Sequence, residues 1–242
     1  MPRFFIDHSP TPSQTAALYG EDARHIARSL RMHPGDPVTL CDAKGHDFLC
    51  VIASVSDDCV TLDVRESVPS QGEPSLFVTL YQCLPKTDKM DAIAQKFVEA
   101  GGSALVPVVS KRCVSRPDEK SLSRKIQRWQ KIAEEAAKQC KRGKIPEVLP
   151  ALPLEQAVLR AQSDPNKIFF YEGGGTPLRQ LLQPDAKTLS IFIGPEGGFE
   201  PGEVEFAKQH GFSVASMGPR IFRTETAPIA ALSAIMFASG NF

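Results

Sequence analysis

The sequence predicts an α/β protein: a parallel sheet with helices on both faces in the carboxy-terminal part, preceded by a small β-barrel or sheet. Three observations lead there. Residues 1–66 hold short alternating apolar runs divided by turn formers, residues 67–75 are turn formers without periodicity, and from residue 76 strand-like runs alternate with helical patterns. A chain of 242 residues holds one large or two modest domains of about 150 residues or fewer. The linker sets the expected domains at 1–70 and 75–242. With 42% hydrophobic and 23% charged residues, the composition excludes a disordered, collagen-like or coiled-coil chain.

In the amino-terminal part, residues 37–40, 48–55 and 60–64 alternate as strands do, with turns at 42–45 and 56–58. Residues 22–32 interrupt them with a helical stripe of Ala23, Ile26, Ala27 and Leu30. After the linker, residues 76–84 read as a buried strand, 88–100 as a helix stopped by Gly101, and 104–109 as a second buried strand. A long helix over 121–142 carries Trp129, Ile132, Ala133, Ala136, Ala137 and Cys140 at helical spacing, with a basic opposite face. Strands over 167–171, 188–193 and 212–216 follow, with helices near 202–210 and 226–238. Repeated strand, helix, strand units make a parallel sheet, whose ligands sit beyond the carboxyl ends of the strands.

No run approaches the ~18 apolar residues of a membrane span, and residues 1–10 lack the order of a secretion signal, so a soluble, cytoplasmic protein is expected. The six cysteines, at 41, 50, 59, 83, 113 and 140, form no CxxC pair and lie near no histidine pair. Reduced core positions are expected, with no metal site and no disulfide framework. Net charge is zero, yet residues 86–144 carry 15 basic and 7 acidic residues, a local net of +8. That segment suits either an anionic partner or a solvated helical face.

Three strand ends run into glycine-rich loops, at 172–175, 194–198 and 218–220, which should converge on one crevice. Glycine lets backbone amides approach a ligand, and each loop feeds a helix start that favours negative charge, as a carboxylate or a ribose-bearing cofactor would require. Turning the chain is the alternative use of each loop. Neither the P-loop nor the dinucleotide fingerprint occurs, which weakens the case for a nucleoside triphosphate or a dinucleotide. Residues 217–228 place Arg220, Arg223, Glu225 and two threonines just before an apolar helix with Pro228 in its first turn. Charges there must be used or paired, and an Arg223–Glu225 ion pair stands beside a functional role.

Two of these stretches, Ile193-Gly194-Pro195-Glu196-Gly197-Gly198-Phe199 and residues 217–227, resemble the cofactor motifs of the RsmE family of ribosomal RNA methyltransferases, which methylate N3 of a uridine in 16S rRNA. Residues 2–5, 85–91, 95–101, 111–114 and 135–142 resemble further family segments, so the likeness spans nearly the whole chain. Met217 and Phe222 stand where leucine is usual, and Cys140 where serine is common. The resemblance implies a SPOUT-type parallel sheet with a deep trefoil knot, an amino-terminal PUA-like β-barrel that helps hold RNA, and a homodimer. It also implies S-adenosyl-L-methionine as cofactor, bound by Tyr171, Glu172, Gly173, Ile193, Gly194, Pro195, Glu196, Gly197, Gly198, Met217, Gly218, Ile221, Phe222, Arg223, Thr226 and Ala227.

A sulfonium already activates its methyl, so transfer needs no metal and no covalent intermediate, only a close in-line approach. Uridine N3 lies on the pairing edge and carries a proton, so the base must be unpaired and must lose that proton. The histidines, at 8, 25, 33, 46 and 210, lie outside the cofactor loops. Arginines are therefore expected to stabilise the uridine anion: Arg220 and Arg112 first, then Arg3. Glu196 and Glu225 are either proton acceptors or structural groups. Arg3, Lys86, Lys89, Arg112, Arg116 and Arg142 are the expected contacts to the 16S rRNA of the small subunit. The alternatives are a noncatalytic RNA-binding protein, a ribose 2′-O-methyltransferase of the same fold, and a phosphate-ester hydrolase, which would need a metal.

Overall fold

Alternation of buried and exposed side chains builds the first of two units in the computed structural model, which describes residues 1–183 and 185–242. β1 (Arg3–Phe5), β2 (Thr15–Tyr19), β3 (Pro37–Cys41), β4 (His46–Val55) and β5 (Cys59–Pro69) form one sheet in the order β1-β3-β4-β5-β2. Phe48, Cys50 and Ile52 on β4 and Val60, Leu62 and Val64 on β5 are buried at every second position, which puts them on one face. Irregularities between Leu49 and Cys50 and between Ile52 and Ser54 bend these long strands, and the sheet curls over its core. α1 (Gly20–Arg24) runs into a π-helical turn at His25–Leu30 and delivers Ala23 and Ile26 to that core. Leu30, expected on the same stripe, is instead exposed, because the wider π turn rotates it away. Residues 67–69, expected in the linker, extend β5, where Val68 pairs with Asp47 and Pro69 with His46.

The first unit comprises Met1–Glu73 together with Ala137–Ile145. A buried ion pair ties the two pieces: Arg142 Nε and Nη2 donate to Glu73 at 2.8 and 3.0 Å, and the Gly143 and Lys144 amides donate to the same carboxylate at 2.8 and 3.0 Å. Arg142 is only 3% exposed, so this expected RNA contact belongs instead to the unit's interior. Arg3 is similar. Its guanidinium donates twice to Asp47, at 2.5 and 2.6 Å, and its side chain is 7% exposed.

In the second unit, β6 (Phe77–Cys83), α2 (Lys89–Glu99), β7 (Ala104–Val109) and α3 (Glu119–Gln139), whose residues 137–139 count with the first unit, come first. β8 (Glu147–Val148), β9 (Leu152–Pro153), α4 (Leu154–Ala161), β10 (Lys167–Phe170), β11 (Thr176–Pro177) and α5 (Leu178–Leu181) follow. β12 (Thr188–Ile193), α6 (Pro201–Gln209), β13 (Ser213–Ser216) and α7 (Ala227–Ala238) complete it. The strands form one sheet in the order β11-β13-β10-β12-β6-β7-β8, with β9 also on β7, and every pairing is parallel. Strands such as β7 and β12 are buried almost throughout because a parallel sheet is covered on both faces. Tyr81, Phe169, Phe192, Phe199 and Phe212 form a continuous aromatic cluster, with Tyr81 stacked on Phe192 at 4.3 Å and Phe169 tilted against Phe199 at 4.2 Å. Trp129 is core, as its spacing predicts, and its indole N–H donates to Asp91 at 3.1 Å. Cys41, Cys50, Cys83 and Cys113 are buried, and Cys59 and Cys140 are half-buried. Among the described residues no helix is long and apolar enough to cross a membrane.

Glu73→Ala leaves four donors without this carboxylate inside the first unit. It should cost about 3 kcal/mol of unfolding free energy, read as a lower urea midpoint at unchanged m-value. An unshifted midpoint would mean that the pair contributes nothing to holding the two pieces together.

Candidate active site

β13, β10 and β12 are neighbours in a parallel sheet, so their carboxyl ends open on one edge. Their following loops line a single cleft of about 740 Å³, formed by residues 170–174, 193–198 and 215–224 with Lys89 and Ala227. Phe199, 1% exposed, roots the middle loop in the aromatic cluster beneath, and Gly198 closes the turn by donating to the Pro195 carbonyl at 2.9 Å. Gly198 is required twice over: its φ is +65°, and a Cβ there would lie 1.7 Å from the Glu172 carboxylate. The third loop is tied to the middle one by Thr224, whose hydroxyl donates to the Gly194 carbonyl at 2.8 Å and accepts from the buried Gln82 amide at 3.1 Å.

An ion cluster joins two of these loops to α2. Lys89 Nζ lies 3.0 Å from Glu196 and 3.1 Å from Glu225. Glu196 also accepts from the Lys86 amide at 3.1 Å. Burial opposes ionisation of Glu196, but Lys89 and backbone amides outweigh it and hold its pKa below the usual carboxylate range. Glu225 is held low by its own backbone amide first, then by Lys89. Both carboxylates, Glu196 foremost, raise the Lys89 pKa. The partner of Glu225 is thus Lys89, not the neighbouring Arg223, because α2 brings a lysine to the helix entrance.

Of the cofactor residues read from the sequence, Thr226 alone is outside the cleft lining; its amide donates to the Arg223 carbonyl at the start of α7. Lys89 and Thr224 enter the site without having been read as cofactor groups, since only the fold brings them to the glycine loops. Arg220 is exposed, lines the cleft and forms no side-chain hydrogen bond or ion pair among the described residues. Arg112 is exposed and donates to the Gly197 carbonyl at 3.0 Å. Arg116 Nη2 is spent on the Ser110 and Lys111 carbonyls. No cluster able to hold a metal ion is found among the described residues.

Residues 72–236 match the RNA methyltransferase domain family, and residues 18–64 match the RNA methyltransferase PUA domain family. Over 98% of its length, the chain is 35% identical to the ribosomal RNA small subunit methyltransferase E of Bacillus subtilis (strain 168), of which it covers 96%. The chain belongs to the ribosomal RNA small subunit methyltransferase E family. The family's Neisseria gonorrhoeae member, solved bound to S-adenosyl methionine, matches at a TM-score of 0.90 with 31% identity, over 98% of this chain and 97% of that one. A Legionella pneumophila protein solved in complex with the cofactor SAM matches at 0.88 with 30% identity, over 98% and 97% of the two chains. The fold is accordingly SPOUT-type in the second unit and PUA-like in the curled sheet of the first, as the motifs imply.

Because the folded pKa values of Glu196 and Glu225 are depressed, the stability from this cluster is present at neutral pH and lost as pH falls below about 4.3 through the depressed values. Lys89→Met should move the Glu196 titration upward toward its ordinary range, followed by carboxyl carbon NMR. A titration that stays in place would mean that backbone amides alone hold Glu196 ionised.

Proposed function

We propose that this enzyme transfers a methyl group from S-adenosyl-L-methionine to N3 of a uridine in the 16S rRNA of the small ribosomal subunit. The carrying observation is the single cleft made by three glycine loops in a chain of this family. Its contents fit the cofactor: Ile193, Met217, Phe222 and Ala227 offer apolar wall for a purine and a thioether-like chain. Turn amides and Glu172 offer partners for hydroxyl and amino groups, and the absent Cβ of Gly198 lets the Glu172 carboxylate pack against the middle loop. The cofactor, when bound, supplies an activated methyl on a sulfonium.

What remains for the chain is to present an everted uridine in line and to stabilise the charge left when N3 loses its proton. Arg220 suits the second task because it lines the cleft with no internal partner among the described residues, whereas Arg3 and Arg142 are committed to Asp47 and Glu73. Arg112, beside Gly197, is the second cation. Glu196 and Glu225 are held ionised and so can accept a proton, though the same Lys89 contacts make them weak bases. Lys86, Arg112 and Arg116 supply the phosphate-facing charge, whereas Lys89 is answered by Glu196 and Glu225, and this predicts salt-sensitive binding.

The knot read from the family motifs, a homodimer and a cytoplasmic site of action belong to the same proposal. A second copy would cover the apolar surface where Phe237 is 77% and Ile221 81% exposed, beside a second cleft lined by Leu178, Leu182, Met217, Phe222 and Ala230.

Incubating small subunits that lack the modification with the enzyme and methyl-labelled cofactor should yield N3-methyluridine on nucleoside mass spectrometry. Label on a ribose hydroxyl, or no label, would overturn the assignment. Arg220→Ala should lower kcat by about 10²-fold or more with cofactor affinity retained, and full turnover would remove Arg220 from the chemistry.

A further inference from the structure

We infer that Glu203 is a positioning residue for the reaction: its buried carboxylate clamps the loop presenting Arg112 onto the helix that follows the Gly194–Gly198 turn. This rests on the reading of Arg112 as a cation facing the target nucleotide. Glu203, in the first turn of α6, is 3% exposed, and its two oxygens serve different segments. Oε1 accepts the Lys111 amide at 2.9 Å, and Oε2 accepts the Glu200 amide at 2.8 Å. A carboxylate is buried only where its oxygens are bonded, so here the requirement for partners ties the Lys111 loop to a helix residue 92 positions away.

The Arg112 loop has little other freedom. Cys113 N–H donates to the Ser110 carbonyl at 3.2 Å, the Ser110 amide donates to Cys113 Sγ at 3.3 Å, and Arg116 Nη2 donates to the Ser110 and Lys111 carbonyls at 3.3 and 2.9 Å. The loop is internally rigid, and Glu203 fixes the side from which Arg112 departs. On the far side Arg112 Nη1 reaches the Gly197 carbonyl, and a Cβ on Gly197 would lie 3.3 Å from Arg112 Cβ. The Lys111–Glu200 ion pair, 3.5 Å apart between half-exposed side chains, is a poor substitute for this clamp because solvent screens it.

Glutamine at 203 keeps the size but offers one acceptor oxygen where two amides need one each. Glu203→Gln should therefore release the Arg112 loop and lower kcat on small subunits about 10- to 100-fold, the loss typical of a misplaced group. The cofactor Kd, by calorimetry, should change by less than kcat does. The decisive readout is a double-mutant cycle at saturating cofactor: in an Arg112→Ala background, Glu203→Gln should cause no further loss. Equal losses with and without Arg112, or wild-type kcat for Glu203→Gln while Arg112→Ala is defective, overturn the inference and leave the proposed function standing. Full turnover by Arg112→Ala would overturn both the role of Arg112 and this inference. If Glu203→Gln fails to fold by circular dichroism, Glu203→Asp enters the same cycle, since it keeps both oxygens and the charge but falls one methylene short.

Discussion

Parallel pairing of β13, β10 and β12 is the constraint on which the site depends. Three strands that run the same way must end at the same edge, so loops separated in sequence are delivered to one place. The aromatic cluster makes that delivery rigid. Phe169 and Phe192 come from the strands themselves, and Phe199 carries the packing up into the turn that ends at Gly198. A cleft whose walls are backbone can be no more precise than the strands beneath it, and here the strands are locked by ring contacts.

Charge is divided between structure and chemistry with few overlaps. Arg3 and Arg142 are withdrawn into buried pairs within the first unit, where each satisfies a carboxylate that burial would otherwise make costly. Lys89 sits between Glu196 and Glu225, which fastens two loops of the cleft to α2 with one cation shared by two carboxylates. Arg220 is left exposed and unengaged among the described residues. An arginine without an internal partner keeps all its guanidinium donors available to solvent or to a bound group.

The net charge of residues 86–144 looks different once partners are seen. Arg128 pairs with Asp91, Lys96 with Glu99, Lys138 with Asp22 and Arg142 with Glu73, so several cations counted toward an anionic partner are answered within the chain. Asp91 and Glu99 already enter that sum, whereas Asp22 and Glu73 lie outside the segment, so the sum cannot register that Lys138 and Arg142 are answered by them. Lys86, Arg112 and Arg116 keep exposed positions and remain its strongest members.

Strand periodicity, the glycine loops and the signature stretches at 193–199 and 217–227 were legible in the amino acids alone, because each depends on local geometry: which faces alternate, where a positive φ is needed, where a helix must start. Short β1 and β2 and the π turn escaped notice, since a few residues carry too little periodicity to announce themselves. The pairing of Glu225 with Lys89, the withdrawal of Arg142 and the double duty of Glu203 were decided only by tertiary structure. Each joins groups far apart in the chain, and which charges meet is set by the order of strands in the sheet, a property no local pattern encodes.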